Sequence, residues 1–417
     1  MKATVEIPAV RTLELDLPEH TSGKQLKREV CHAFGIEPEL TSLLLNGATI
    51  QDSDELSREA LASHKITVDY VWARQLLLWG FEGQRTLRNA TALVVGAGAL
   101  GNETAKNLAM LGVGNLVIVD FDIVERSNLS RAVYFTASDI GRPKSVALAE
   151  AIQRAYPYTG VEAYVSRLED LPHTVYLTSD IILSGLDNMV SRVFLSTIAC
   201  KYGIPLVDGG MTGYHCRVQS YHPPDSPCLL CAIPAKSYGE LAGLRNPCSA
   251  PIQENATPSL STSISLVSSL QTQEALKILL KSAPGGTSVW KLGSPLPGVL
   301  VVDLTYNKFT LLPLSKNPRC IVCGKDGTAP QPIARHRLAL ADGRDVTTPL
   351  RRLIEERLKA SFEDCDFFLD APGGFKKINK ESGFQDLGLD TGSYIHVICQ
   401  GRGHDYKEAL IEVVKGS

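Results

Sequence analysis

At 417 residues the chain has room for two or three domains and a large buried core. Its 42 Lys and Arg against 45 Asp and Glu give a net charge of −3, and no long basic run occurs, which argues against nucleic acid as a partner. The N-terminus alternates polar and apolar residues without a signal-like core, and no run of about 18 apolar residues exists, so neither a membrane span nor a membrane partner is expected.

Residues 2–7 and 11–17 read as two strands of a hairpin. Residues 24–34, KQLKREVCHAF, place Leu26, Val30 and Phe34 on one face of a helix, with Cys31 as a core cysteine. Residues 42–50 read as two short strands around Asn46-Gly47, a dipeptide suited to a tight hairpin turn. A last strand covers 65–71. This β-β-α-β-β-β order over residues 1–71 resembles ubiquitin and its β-grasp relatives. The last strand runs into Trp72 and Arg74 rather than ending in Gly-Gly, so the unit is not read as a modifier tail.

Residues 72–87 predict an amphipathic helix and a loop. The stretch that organises the chain follows, residues 91–122, TALVVGAGALGNETAKNLAMLGVGNLVIVDFD. Ala92 to Val95 read as a buried parallel strand, and a helix is expected from about Asn102. A second buried strand, Leu116 to Val119, ends at Asp120. Between the first strand and the helix stand Gly96, Gly98 and Gly101 in G-x-G-x-x-G spacing. Gly96 permits a tight turn, Gly98 lets backbone approach a phosphate, and Gly101 lets helix pack on strand. The free N–H groups of the helix start favour an anion. Alone, this pattern suits a nicotinamide or flavin enzyme with Asp120 on a ribose hydroxyl. A further helix opens around Pro143, and 181–188 reads as a buried strand ending in Asp187-Asn188.

Taken together, Arg74-Gln75-Leu76, the glycine loop, Asp120-Phe121-Asp122, 127–131 (SNLSR), Lys144 and Asp187-Asn188 resemble the ubiquitin-activating superfamily. That family includes the molybdopterin-synthase and thiamine-sulfur-carrier adenylyltransferases. The resemblance covers about residues 72–325 and departs from the family at Ala99, where a further glycine is usual. It implies an α/β, Rossmann-like adenylation domain with a mostly parallel sheet. It also implies ATP-dependent adenylation of a C-terminal glycine carboxylate. Gly96, Gly98, Ala99 and Gly101 then face the phosphates, and Asp120 the ribose. Asp122 either touches nucleotide or fixes its loop. Asn128, Arg131 and Lys144 serve the phosphates, and Asp187, beside Asn188, binds Mg2+ through oxygen. Arg74 reaches into the site of a second subunit, which implies a homodimer. A dehydrogenase has no use for Asn128, Arg131, Lys144 and Asp187 together.

Of ten cysteines, four form two Cys-x-x-Cys pairs, Cys228/Cys231 and Cys320/Cys323, which suits metal rather than disulfides and a cytoplasmic, reducing setting. Four thiolates match a closed tetrahedral Zn2+ site, which leaves no open position for catalysis. The 88 residues between the pairs are typical of the resembled family, where the zinc is structural. Cys248 lies in a Pro-rich polar loop at 245–260, ahead of a helix expected over 261–280 with Ile264, Val267, Leu270, Ile278 and Leu279 buried. By the resemblance it is the candidate acyl-accepting nucleophile, with Arg245 nearby to favour the thiolate. Cys200 and Cys216 read as core.

Residues 328–334 read as a linker. Beyond them come a strand at 335–341, a turn at Asp342-Gly343, a helix near 348–360 and strands at 366–370 and 393–399, with 408–414 as helix or strand. This segment again resembles a β-grasp unit, which either recruits a conjugating enzyme or only stabilises the protein. The expected domains are thus 1–71, 72–330 and 331–417. The expected function is activation of a Gly-Gly-ended ubiquitin-like modifier, with a thioester on Cys248 and transfer to a conjugating enzyme. The alternatives are a sulfur-carrier adenylyltransferase without a thioester, and a non-catalytic nucleotide-binding scaffold.

Overall fold

The computed structural model describes residues 2–18, 20–57, 59, 61, 64–232, 258–281, 292–324, 333–340, 346–371, 374–378, 392–400 and 406–415. The N-terminal part contains β1 (Lys2–Ile7), β2 (Arg11–Asp16), β3 (Thr21–Ser22), α1 (Gly23–Phe34), β4 (Thr41–Leu45), β5 (Ala48–Thr49), β6 (Glu55–Leu56) and β7 (Ile66–Tyr70). Its main sheet has the order β2-β1-β7-β4-β5, with β1 and β7 parallel and the other pairs antiparallel. Helix α1 presents Leu26, Val30, Cys31 and Phe34 to a core with Val5, Ile7 and Val68, and Ser22 caps its start by accepting from Gln25 N–H. Asn46 and Gly47 both have positive φ (52° and 80°), the turn that their side-chain types permit.

Helix α2 (Ala73–Asn89) breaks at Gly80, whose φ is 64°. It joins the two parts, because Trp72 is buried in the N-terminal core while its indole N–H donates to Met110 O at 3.0 Å. The central part then runs β8 (Thr91–Val95), α3 (Ala99–Leu111), β9 (Asn115–Val119), α4 (Lys144–Ala155), β10 (Gly160–Tyr164), α5 (His173–Leu177), β11 (Ile181–Ser184), α6 (Met189–Tyr202), β12 (Leu206–Thr212), β13 (His215–Tyr221), α7 (Ser261–Lys281), β14 (Gly298–Asp303) and β15 (Lys308–Pro313). Eight strands form one sheet in the order β10-β9-β8-β11-β12-β13-β14-β15. Its first four pairings are parallel and the last three antiparallel, so the sheet is mixed rather than mostly parallel. The antiparallel extension arises because β12 to β15 connect as hairpins and a return from α7, not through crossover helices.

Helix α3 begins at Ala99, three residues before the expected start, with Gly98 as its N-cap. A Cβ on Gly101 would lie 1.8 Å from the Gly96 carbonyl oxygen, so the first turn closes against the strand only because position 101 has no side chain. Helix α7 is buried on nearly all sides, with Ser263, Ser268, Gln271, Thr272 and Glu274 inside together with its apolar residues. It is therefore a central helix, not the one-faced amphipathic helix that its apolar spacing suggests. Cys31, Cys200 and Cys216 are buried as expected.

The C-terminal part contains β16 (Ala334–Leu340), α8 (Thr347–Leu353), β17 (Cys365–Ala371), β18 (Gly374–Lys377), β19 (Tyr394–Gln400) and β20 (Tyr406–Lys415). Residues 408–414 are thus strand, and β18 is an element that the sequence pattern did not announce. The order is β16-β20-β19-β17-β18, with β16 and β20 parallel. It shares a parallel first–last pair with the N-terminal sheet but not the rest of the order. Cys365 and Cys399, opposite each other between β17 and β19, form a disulfide that cysteine spacing did not suggest.

Gly101→Ala is expected to lower stability by ~1–3 kcal/mol through overpacking against the Gly96 carbonyl. A thermal or denaturant midpoint unchanged from the parent would refute this contact as a constraint on the fold.

Candidate functional site

Strands β9 and β10 lie on one side of β8, while β11 and β12 lie on the other. The chain therefore switches sides at β8, and a crevice opens outside the carboxyl ends of β8 and β11, where open α/β sheets take ligands. The Gly96 N–H donates to Val119 O at 2.8 Å, and the Gly185 N–H donates to Val95 O at 2.8 Å, so the loops after β8 and β11 are pinned to neighbouring strand ends. A Cβ on Gly98 would meet nothing within 4 Å, which leaves the loop's outer face open. The first N–H groups of α3, from Ala99 onward, lack intrahelical partners by helix geometry and point to this opening.

Asn102 staples the loop from inside. Its amide nitrogen donates to Ala97 O (2.9 Å) and Gly98 O (3.0 Å), and its Oδ1 accepts from Tyr134 N–H (3.2 Å). Asp120 ties the loop to the end of β9: its carboxylate accepts from Ala97 N–H at 2.7 Å and from Asp122 N–H at 2.8 Å. Burial pushes its pKa up, and the two N–H bonds and Lys144 only partly offset this. Ser145 Oγ donates to the Asp120 carbonyl at 3.0 Å.

Lys144 begins α4, with its backbone N–H on Asp122 O (2.8 Å) and its Nζ 2.9 Å from Asp122 Oδ2. Asp122 thus holds the lysine in place. Asn128 uses its Oδ1 to accept from Glu125 N–H at 2.8 Å, half of a capping box, so its Nδ2 is the half that can donate to phosphate. Arg131 donates to Ser127 O at 2.7 Å, which folds it over the same short helical turn. Asp187 is exposed after β11, and Asn188 caps α6 by accepting from Ser191 N–H at 2.9 Å.

Apart from Arg74, the expected nucleotide-site residues gather on the loops after β8, β9 and β11 and at the start of α4. Arg74 is exposed at the start of α2, in a hollow with Pro8, Leu44, Thr67 and Asp69 on the N-terminal sheet. Cys248 lies outside the described residues. Arg192 was not read from sequence. It is buried, pairs with the fully buried Asp208, and donates to the Leu186 and Gly209 carbonyls, the latter at 3.1 Å. Arg217 also reaches Asp208 at 3.0 Å. Arg192 thereby anchors the loop that carries Asp187. Its only sequence signal is a cation near the start of a largely apolar helix whose other cation, Lys201, lies in the last turn.

The four cysteines Cys228, Cys231, Cys320 and Cys323 come together with all sulfurs within 4.8 Å of one another. Sulfur separations of 3.9, 3.5 and 3.4 Å lie near the ~3.8 Å edge of a tetrahedron with metal–sulfur bonds of ~2.3 Å. The donor set therefore fits a tetrahedral ion. The Asn317 N–H donates to Cys231 Sγ at 3.4 Å, a second layer of support. The first cysteine pair follows β13, whose Tyr221 lies opposite Leu206 at the start of β12. The cluster is thus at the opposite end of the sheet from the glycine loop.

A family model described as the ThiF family matches residues 72–322. A Thermus thermophilus sulfur carrier protein adenylyltransferase is 33% identical over 61% of this chain and 90% of its own length. A Haloferax volcanii SAMP-activating enzyme E1 is 34% identical, covering 60% and 85%. A Caenorhabditis briggsae adenylyltransferase and sulfurtransferase MOCS3 is 31% identical over 81% and 88%. Among solved structures, E. coli MccB with succinimide superposes with a TM-score of 0.50 at 18% identity, covering 61% of this chain and 75% of that one, a likeness of fold.

Nucleotide affinity is expected to fall as pH drops through the raised pKa of Asp120, because protonation removes an acceptor. The stability linked to this group runs the other way. A carboxyl whose folded pKa is raised binds its proton more readily folded than unfolded, so stability rises as pH falls through that window. Binding titrations with an ATP analogue from pH 8 to pH 5 check the first part. An unchanged pH profile in Asp120→Asn would count against it.

Proposed function

Because the chain belongs to the ThiF family of ATP-dependent adenylyltransferases, we propose that it adenylates the C-terminal glycine of a small protein of the sulfur-carrier class. The observation that carries this reading is the convergence of the glycine loop, Asp120, Lys144, Arg131 and Asp187 on one crevice. The triphosphate lies over the N-terminus of α3, and Asp120 accepts hydrogen bonds from the ribose hydroxyls. Asp187 supplies a carboxylate oxygen for Mg2+, a hard cation. Lys144, released from Asp122, and Arg131 and Asn128 neutralise and orient the phosphates. A carboxylate oxygen of the substrate attacks the α-phosphorus, the bond to the β-phosphate bridge oxygen breaks, and pyrophosphate leaves. The reaction depends on charge and position rather than on a protein nucleophile.

In this reading two copies form a homodimer, and Arg74 of each completes the crevice of the other. The support is that Arg74 stands exposed away from the crevice of its own chain. The cysteine cluster holds Zn2+ as a structural ion, in keeping with four thiolates and its place at the far end of the sheet. Thiolate ligands suit a reducing, cytoplasmic setting, in which the Cys365–Cys399 pair would stand as thiols. The N-terminal unit is read as β-grasp from its strand order and parallel β1–β7 pair. The C-terminal unit is a more divergent relative.

The relatives named as sulfur-carrier and molybdopterin-synthase adenylyltransferases favour this substrate class over the ubiquitin-like conjugation cascade expected from Cys248. A thioester on Cys248 stays as the second reading, favoured by the likeness to a SAMP-activating enzyme E1. It adds a Gly-Gly-ended modifier and a conjugating enzyme as partners. A non-catalytic scaffold gives way to the enzyme family itself.

Asp187→Ala is expected to cut ATP–pyrophosphate exchange by about 100-fold or more. Retained exchange would sink the site. Arg74→Ala is expected to do the same, and mixing the two inactive variants to restore part of the activity. No recovery on mixing would remove the trans arginine. Intact mass with Mg·ATP and a Gly-Gly-ended carrier separates the two readings. A thiol-labile adduct lost in Cys248→Ala supports the thioester, and pyrophosphate release without an adduct supports the sulfur-carrier reading.

A further inference from the structure

We propose that Phe121 and Arg167 form the platform on which the base of the nucleotide stacks, an assignment that rests on the adenylation reading. The parts of ATP are joined in a fixed order of triphosphate, ribose and base. The loops of this chain stand in a matching order along the sheet β8-β9-β10. With the phosphates at the start of α3, after β8, and the ribose at Asp120, after β9, the base continues past β9. It falls over the end of β10.

Strand β10 is parallel to β9, with Tyr164 opposite Val119, and the Asp120 N–H donates to Tyr164 O at 3.1 Å. Residues 165–167 therefore run alongside 120–122. There the Arg167 guanidinium lies over the Phe121 ring, 5.1 Å from its centroid. Phe121 is 56% exposed, and Val165 beside this loop is 51% exposed. Single exposed apolar side chains are ordinary, but these two flank the carboxylate that takes the ribose, where the ring already meets a guanidinium. A guanidinium plane and a phenyl ring each offer a flat surface to a purine, which stacks on either. Lysine, a point charge, does not replace the plane.

The test uses the full chain and measures binding of Mg·ATP and of Mg·ribose 5-triphosphate, which lacks the base, to the parent and to Phe121→Ala, Arg167→Ala and Arg167→Lys. Losing one of the two stacking surfaces is expected to lower ATP affinity about tenfold in each alanine variant. Affinity for the baseless ligand is expected to stay unchanged, which also shows that the variants are folded, and Arg167→Lys is expected to behave as Arg167→Ala. ATP affinity within twofold of the parent in both alanine variants overturns the platform and leaves adenylation standing. Equal losses for both ligands overturn it as well. Failure of the parent to bind either ligand overturns both the platform and the reading beneath it.

Discussion

The crevice depends on a point where three backbone segments meet without side chains. A Cβ on Gly101 would strike the Gly96 carbonyl at 1.8 Å, one on Gly96 would crowd the Gly185 carbonyl at 3.1 Å, and one on Gly185 would crowd the Gly101 nitrogen at 3.3 Å. These three glycines belong to α3, the loop after β8 and the loop after β11. Their mutual contact sets how near the start of α3 comes to the strand ends. The separation between the start of α3 and Asp187 follows from it. Steric exclusion does here what no single hydrogen bond of about 1 kcal/mol can do, because it admits only one close-packed arrangement.

Around that point the loops are fixed by buried polar groups. Asp208 is fully buried and faces two guanidinium groups, Arg192 and Arg217, and Arg192 passes the constraint on to the Leu186 carbonyl. Removing one member of such a group leaves an uncompensated buried charge, a loss of ~3–5 kcal/mol. Helix α7 adds a second set of bonds. Gln271 donates to the Ser184 and Val207 carbonyls at 2.9 and 3.2 Å, and Ser268 meets Thr104 and Asn107 on α3 at 3.2 and 3.0 Å. The helix that follows the Cys248 segment is thus bonded directly to the helix that would carry the phosphates.

The two ends of the large sheet do different work. The crevice end holds the loops with polar, half-exposed side chains. The far end is sealed by the cysteine cluster and by the C-terminal part, where Arg335 donates to the Tyr202 carbonyl at 2.6 Å. Asp370 accepts from the His173 and Thr174 N–H groups, and Ile333, Tyr394 and Leu410 join the apolar cluster of Tyr176 and Tyr202. A metal held there would act on stability and on the seating of that sheet, at the far end from the glycine loop.

Local chemistry made much of this readable in the sequence. The G-x-G-x-x-G spacing, the apolar runs on either side and Asp120 at the end of the second run are short-range signals, and the structure places them as one strand–loop–helix–strand unit. The two Cys-x-x-Cys pairs are equally local, although only folding brings them together across 88 intervening residues. The start of α3 at Ala99 was missed because it depends on the Gly101–Gly96 contact, which no propensity encodes. The antiparallel half of the large sheet was missed because strand direction is set by which connections are hairpins. Arg192, Asp208 and Arg217 stand on three successive elements at spacings that give no pattern, yet burial makes them the anchor of the Asp187 loop. Arg167 joins Phe121 only through the register of β10 on β9. Residue type and spacing announce chemistry, whereas the partners of a buried charge and the neighbours of an exposed ring exist only once distant strands have paired.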